Sequence, residues 1–358
     1  MKGLILCGGK GTRLRPLTYT RSKPLLPIAN KPIVEYVLRH IHQAGITDIG
    51  IVINPTIEEE FKNYFQSHPQ VRAGQIHITL IMQEKPLGLA HAVKTAQPFL
   101  GGDDFLLYLG DNILEQGPAE AVAEFKRQQL DALIFLKEVP EPQAFGVAVL
   151  DEQAKVVQVI EKPQQPPSHT VLVGVYLFSA KIFEAIDSLK PSWRGEYEIT
   201  DAIQHLIDRQ AKVQGKVLAG WWLDTGKKDD ILSANSTVLD AFAVQDIRGE
   251  VDKQSKISGR VAIGAGSVII NSTIRGPAVI GEQVRIENSF IGPYTSIGDK
   301  SQIFDSGIEH AVILNGVYVQ AISRLEDSLI GEDTRVVKSQ NKQLTLRLMI
   351  GDSATVEI

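Results

Sequence analysis

The chain has 358 residues, is 43% hydrophobic and 22% charged, and carries a net charge of −5, the profile of a globular protein of two or three domains. Acidic and basic residues are interspersed along its length, so no platform for a nucleic-acid backbone is expected. Cys7 is the only cysteine, which excludes an intrachain disulfide; no stretch approaches the roughly 20 apolar residues of a membrane span, and the apolar start MKGLILCGG is too short for a signal peptide, so a cytoplasmic location is expected.

Lys2–Cys7 is a short apolar run stopped by glycines, the pattern of a buried parallel strand. Ile33, Val37, Ile41 and Ala44 recur at helical spacing, and Gly45 closes that helix. Asp48–Ile53, Ile76–Met82 and Phe105–Leu109 read as further strands, with a helix over Leu89–Ala96. The alternation predicts an α/β domain over residues 1–245, a Rossmann-like, mostly parallel sheet with helices on both faces. Ligands of such sheets gather outside the carboxyl ends of the strands. Three motifs fall there: GGKGTR at Gly8–Arg13, GDN at Gly110–Asn112, and LDTG at Leu223–Gly226.

Beyond residue 250 a repeat replaces helical periodicity. Ile263, Ile280 and Ile297 are spaced by 17 residues, as are Ile269, Ile286 and Ile303, and Ile274, Ile291 and Ile308. After an irregular stretch, Leu329-Ile330-Gly331 resembles the same start. Three columns held in phase imply a three-sided coil with one aliphatic residue per side pointing inward, stacked so that neighbours bury a continuous core. The texture resembles the hexapeptide-repeat left-handed β-helix; a β-sandwich with evenly spaced strands is the alternative. The boundary is expected within 241–256, after a helix over Lys227–Phe242 and in the polar stretch Asp246–Lys256. The second domain then spans 246–358, with a strand-like tail at Gln343–Ile358 expected to return over part of the molecule.

The chemistry concentrates in the first domain. In Leu6–Thr18 the glycines permit close backbone approach to an anion, and successive N–H groups can cradle it. Arg13 adds a planar fork suited to phosphate oxygens, and Lys23 follows in a proline-stiffened segment. Neither a Walker A loop nor a G-x-G-x-x-G fingerprint is present. Asp111 and Asp224, each just past a strand, suit Mg²⁺, which takes one or two carboxylates beside substrate phosphates; alone, each is more often a turn or cap aspartate. Glu161 and Lys162 can meet sugar hydroxyls and a phosphate, or form a solvated strand end. In Trp193–Asp201, Glu198 or Thr200 can simply cap a helix. Gln83 both donates and accepts, as reading a base edge requires, and Gly88 permits close approach. Cys7 has no nearby histidine to activate it and reads as a small buried hydrophobe. His40 and His42 face different ways on one helix, so no metal set is expected from them.

Taken in order, GGKGTRLRPLT with SKPLLP, LGDN, FGV, EKP, GEYEITD and WLDTG closely resemble glucose-1-phosphate thymidylyltransferases over most of residues 1–240. The repeat region makes the chain similar to the long form of that family. The resemblance implies Mg²⁺-assisted transfer of a deoxythymidylyl group from dTTP to glucose 1-phosphate, giving dTDP-glucose and pyrophosphate. It places Leu6, Gly8, Gly9, Gly11, Thr12 and Arg13 around the nucleotide, with Arg13 and the loop backbone on the β- and γ-phosphates. Lys23 contacts the attacked phosphate, Gln83 and Gly88 recognise thymine, and Asp111 and Asp224 bind the metal. Asn112, Gly146, Glu161 and Tyr176 surround the sugar; Lys162 and Arg194 hold its phosphate. Arg13, Lys23, Asp111 and Lys162 form the catalytic set. The implied partners are these small molecules and further copies of the chain, packed through the outer faces of the β-helix.

Two positions depart from the family pattern. Phe145 stands where many short forms have tyrosine, which removes a phenol contact to the sugar, and Pro24 stands where they have glutamine. The alternatives are UTP-, GTP- or ATP-dependent pyrophosphorylases, a bifunctional enzyme using His310 in acetyl transfer, and a non-catalytic nucleotide-sugar binder.

Overall fold

The computed structural model describes residues 1–338 apart from Lys10, Thr20 and Lys227; the strand expected at Gln343–Ile358 lies outside the described residues. The chain forms two compact units. The first comprises Met1–Lys10, Ser22–Pro24 and Val34–Trp222; the second comprises Gly11–Arg21, Leu25–Ile33 and Leu223–Ile358.

The first unit is built on a nine-stranded sheet. Its strands are β1 (Lys2–Leu6), β2 (Asp48–Ile53), β3 (His77–Met82), β4 (Phe105–Leu109), β5 (Ala132–Glu138), β6 (Gly146–Leu150), β7 (Val156–Glu161), β8 (Thr170–Phe178) and β9 (Val213–Val217). The order runs β7-β6-β8-β4-β1-β2-β3, with β5 pairing β8 and β9 pairing β5. β1, β2, β3 and β4 are mutually parallel, which brings the loops after β1, β3 and β4 to one edge. β8 runs antiparallel to β4, so the sheet is mixed. β1 and β4 are almost wholly buried, which explains why they read as continuous apolar runs rather than alternating ones. The register pairs Phe105 with Phe178, and their rings pack 5.7 Å apart in the core. Helices α1 (Ile33–Gln43), α2 (Leu89–Thr95), α3 (Ile182–Asp187) and α4 (Ile199–Asp208) add their apolar faces.

In the second unit, short strands stack into three parallel sheets, a β-helix. Ile263, Ile280, Ile297 and Ile313 form one buried column; Ile269, Ile286, Ile303 and Val319 the second; Ile274, Ile291 and Ile308 the third. In the polar stretch Asp246–Lys256, Asp246–Ile247 and Glu250–Val251 are strands, and Lys256 opens a third, so it forms the first coil. The irregular stretch is a coil one residue short, in which Ile297 pairs with Ile313. Serine ladders satisfy the buried corner backbone: the amides of Ser272, Ser289 and Ser306 donate to the hydroxyl of the serine one coil earlier at 3.0–3.1 Å. Helix α5 (Lys228–Phe242) belongs to this unit. Its buried Asn235 accepts from the Ala29 amide at 2.9 Å and donates to the Tyr294 carbonyl at 3.0 Å, which ties helix, Leu25–Ile33 segment and coil together.

Candidate active site

At the carboxyl edge of the first unit's sheet, the Cys7 amide donates to the Val52 carbonyl at 2.8 Å and the Gly110 amide to the Leu6 carbonyl at 3.0 Å. These bonds fix where Gly8 and Gly9 leave β1. Cys7 is buried, and burial pushes its thiol well above the ordinary range, with the Asp111 charge adding to the effect; it packs as a hydrophobe. A cleft of about 240 Å³ opens here, with Leu6, Gly8, Gly9, Gln83, Gly88 and Asp111 in its walls. Gln83 is buried where β3 ends. A Cβ on Gly8 would lie 3.0 Å from its Oε1, so a larger residue there would press on the Gln83 amide.

Lys23 is buried, and its ammonium donates to Asp111 Oδ2 at 2.6 Å. Asp111 Oδ1 accepts from Asn112 Nδ2 at 2.8 Å, and Asn112 Oδ1 accepts from Trp222 Nε1 at 2.5 Å. The Trp222 ring in turn meets Phe145 edge-on at 5.2 Å. Phe145 therefore has a packing partner suited to a bare phenyl ring.

A second cluster gathers Gly146, Glu161, Lys162, Tyr176 and Arg194. Gly146 and Glu161 are register partners on β6 and β7. Lys162 turns off β7 in the left-handed conformation with its ammonium 3.5 Å from Glu161 Oε1. Burial raises the Glu161 pKa, Lys162 opposes the rise, and Glu198 reinforces it. Tyr176 is buried on β8, and the Glu161 charge adds to the burial that keeps its phenol protonated. Arg194 is held by three carboxylates: Glu161 at 3.4 Å, Glu196 at 3.1 Å and Glu198 at 3.1 Å. Neither Glu198 nor Thr200 caps α4 with its side chain. Glu198 instead accepts from Ser192 and Arg194, and the Thr200 hydroxyl donates to Glu161 at 3.1 Å. Both side chains are thus committed to tertiary contacts.

Gly11, Thr12, Arg13 and Asp224 belong to the second unit. Gly11 adopts the left-handed conformation ahead of a single 3₁₀ turn, and its carbonyl accepts from Thr18 Oγ1 at 2.7 Å. Arg13 is exposed, with its guanidinium beside Gly226. Among the described residues no three His, Cys, Asp or Glu side chains cluster to hold a metal. A two-carboxylate Mg²⁺ set does not require three. Asp111 faces the cleft part-exposed, and its hard carboxylate oxygens fit that ion.

The structure adds residues that sequence reasoning left aside. Glu196 lines the cleft, Glu198 anchors Arg194, and His91 contacts Gln83. Glu196 and Glu198 lie in the GEYEITD stretch, but their roles, like that of His91, depend on partners brought close by the fold. His40 is buried against the Tyr108 hydroxyl at 3.2 Å. His310 pairs with Asp327 one coil on. Among the described residues no helix is long and apolar enough to cross a membrane.

The nucleotidyl transferase family matches residues 2–241. The glucose-1-phosphate thymidylyltransferase of Streptomyces antibioticus is 44% identical over all of this chain and 99% of its own length. The low-salt glycan biosynthesis nucleotidyltransferase of Haloferax volcanii is 41% identical over 97% of this chain and 100% of its own length. Among solved structures, a Bacillus anthracis protein assigned as a glucose-1-phosphate thymidylyltransferase, in complex with a sucrose, covers 66% of this chain and 94% of its own at 33% identity and a TM-score of 0.61.

Proposed function

We propose, from the premise that this chain belongs to the nucleotidyl transferase family and is a sugar-1-phosphate nucleotidyltransferase, that it transfers a deoxythymidylyl group from dTTP to glucose 1-phosphate. The observation that carries the proposal is the cleft in which Gly8, Gly9, Gln83, Gly88 and Asp111 meet, with Lys23 bonded to Asp111. The cleft offers glycine backbone for a phosphate, an amide for a base edge, and a cation beside a carboxylate. The full-length similarity to a protein named for this reaction supports the choice of substrates.

A sugar-phosphate oxygen attacks the α-phosphorus in line. The new P–O bond forms as the bond to the β-phosphate oxygen breaks, and pyrophosphate leaves with that electron pair. The attacking monoester oxygen is already anionic at neutral pH, so no general base is needed, and catalysis comes from positioning and charge neutralisation. Lys23 neutralises the attacked phosphate; Arg13 and the glycine loop hold the leaving phosphates; Lys162 and Arg194 hold the sugar phosphate. Asn112, Gly146, Glu161 and Tyr176 seat the sugar. The side chains of Asp111 and Asp224 would hold Mg²⁺, which when bound supplies positive charge to the triphosphate oxygens. In this reading residues 1–245 form the catalytic domain, and 246–358 form a domain for assembly of a homo-oligomer.

The test is pyrophosphate release with glucose 1-phosphate and Mg²⁺, comparing dTTP, UTP, GTP, ATP and CTP. Release with dTTP, alone or shared with UTP, is expected. Release with a purine nucleotide only would discard the base assignment while keeping the reaction class.

A further inference from the structure

Gln83 has an amide whose two ends look alike in shape but are opposite in hydrogen bonding. The group at Nε2 lies 3.3 Å from the Gly88 carbonyl oxygen and 2.9 Å from His91 Nδ1. A carbonyl oxygen can only accept, so the group facing it is the NH₂. His91 Nδ1 must then be an acceptor as well, with the imidazole proton on Nε2. Both amide protons are engaged, which leaves Oε1, a pure acceptor, turned towards Gly8 in the cleft wall.

We propose that His91 is a positioning residue for base selection: by accepting from Gln83 it locks the amide so that the cleft presents an oxygen, which selects a base with a ring N–H and rejects one with a bare ring nitrogen. The inference rests on the proposed role of this cleft in holding the nucleotide base. Thymine and uracil carry N–H at ring position 3. Cytosine, of the same size, carries a lone pair there and would set acceptor against acceptor. Shape cannot separate uracil from cytosine; the polarity of one amide can.

The surroundings hold His91 in this role. It lies on α2, three residues after Gly88, and its ring stacks on Tyr197 with centroids 6.4 Å apart and planes 29° apart. The segment carrying Tyr197 is tied to the loop before α2, since the Tyr197 amide donates to the Leu87 carbonyl at 2.7 Å and the Ala90 amide to the Tyr197 carbonyl at 3.0 Å. Partial burial also lowers the His91 pKa, favouring the neutral ring that an acceptor requires. With His91 removed, the longer bond to Gly88 alone holds the amide.

The experiment measures kcat and KM for dTTP, UTP and CTP, with saturating glucose 1-phosphate and Mg²⁺, in the wild type and in His91→Leu, His91→Ala and His91→Gln. In the Leu and Ala variants, the kcat/KM ratio of dTTP over CTP is expected to fall by about tenfold, the scale of one buried polar group left unmatched. The change should appear in nucleotide KM, with the KM for glucose 1-phosphate, measured separately at saturating dTTP, unmoved. His91→Gln, whose side-chain oxygen can accept from Gln83, is expected to restore the ratio. A ratio within about twofold of wild type in both loss variants overturns the role of His91 and leaves the thymidylyl assignment standing. A wild type that uses purine nucleotides only overturns the base assignment, and this inference with it.

Discussion

Gly88→Ala should be one of the most damaging single-methyl additions in the molecule. Gly88 has φ of +103° and ψ of 174°, a region that essentially only glycine occupies. A Cβ there would lie 2.5 Å from the Tyr197 carbonyl oxygen, 2.8 Å from the Tyr197 nitrogen and 3.0 Å from Glu196 Cβ. Two of these are backbone atoms, which cannot rotate aside. They also make the bonds that tie the loop to Leu87 and Ala90, so relief of the clash must stretch both. Backbone strain contributes about 1–3 kcal/mol and each weakened hydrogen bond about 1 kcal/mol, for a total of about 3–5 kcal/mol. For a domain of this size that corresponds to a fall in Tm of roughly 6–20 °C. The assay is thermal unfolding of Gly88→Ala beside Gly102→Ala, a control whose new methyl meets nothing within 4 Å. If Gly88→Ala melts within about 2 °C of the control and binds dTTP with wild-type Kd, the close approach is not what holds this loop.

The remaining predictions concern charge. Lys23→Ala and Asp111→Asn should each lower kcat by about 100-fold or more, because each removes a preorganised charge from the proposed phosphate site; near-wild-type steady-state pyrophosphate release from a folded variant would remove that residue from the catalytic set. Burial, aided by the Arg39 charge, lowers the His40 pKa to about 4 from the ordinary 6.5. The folded pKa is the lower one, so the unfolded chain binds more protons between these values, and the stability contribution is lost as pH falls from 6.5 towards 4. The full effect is about 3 kcal/mol. Urea unfolding at pH 7 and pH 4.5 should show a larger loss for wild type than for His40→Gln; equal losses would place the acid sensitivity elsewhere.

What the sequence shows and hides follows from the range of the interactions. The isoleucine columns at 263, 280 and 297 are legible because a β-helix repeats one local environment, so burial writes itself into the chain at constant spacing. β2 and β4 are legible end to end because both faces are covered and the apolar run stops where cover stops. Asp246–Lys256 carries no aliphatic column of its own because an end coil has a neighbour on one side only, so its residues remain exposed and polar while the backbone still pairs. In the site, the glycine loop and the aspartate after β4 announce themselves through short motifs. The pairing of Arg194 with its carboxylates does not: Glu161 is 33 positions away, and Glu198 looks like a helix cap until its carboxylate is seen turned towards Arg194.

That hidden layer has a common physical character. Two of the cations proposed for phosphate are already neutralised: Lys23 by Asp111, Arg194 by Glu161, Glu196 and Glu198. A buried ammonium with no counter-charge is costly, so a phosphate site kept ready without ligand needs carboxylates of its own. Under the proposed reaction the incoming phosphates must displace those carboxylates, which weakens ground-state binding. The contacts that would strengthen as negative charge moves onto the leaving pyrophosphate are those proposed for Arg13 and the glycine loop, the condition under which binding energy accelerates a reaction rather than only retaining its substrate. Glu161 fits the same scheme. Its burial and the nearby Glu198 raise its pKa while Lys162 and Arg194 oppose the rise. Withdrawing either cation to a sugar phosphate would leave a more basic carboxylate, better able to hold sugar hydroxyls. Under the proposed reaction the acidic residues around these cations let the site exist empty and make its affinity depend on the charge of what enters.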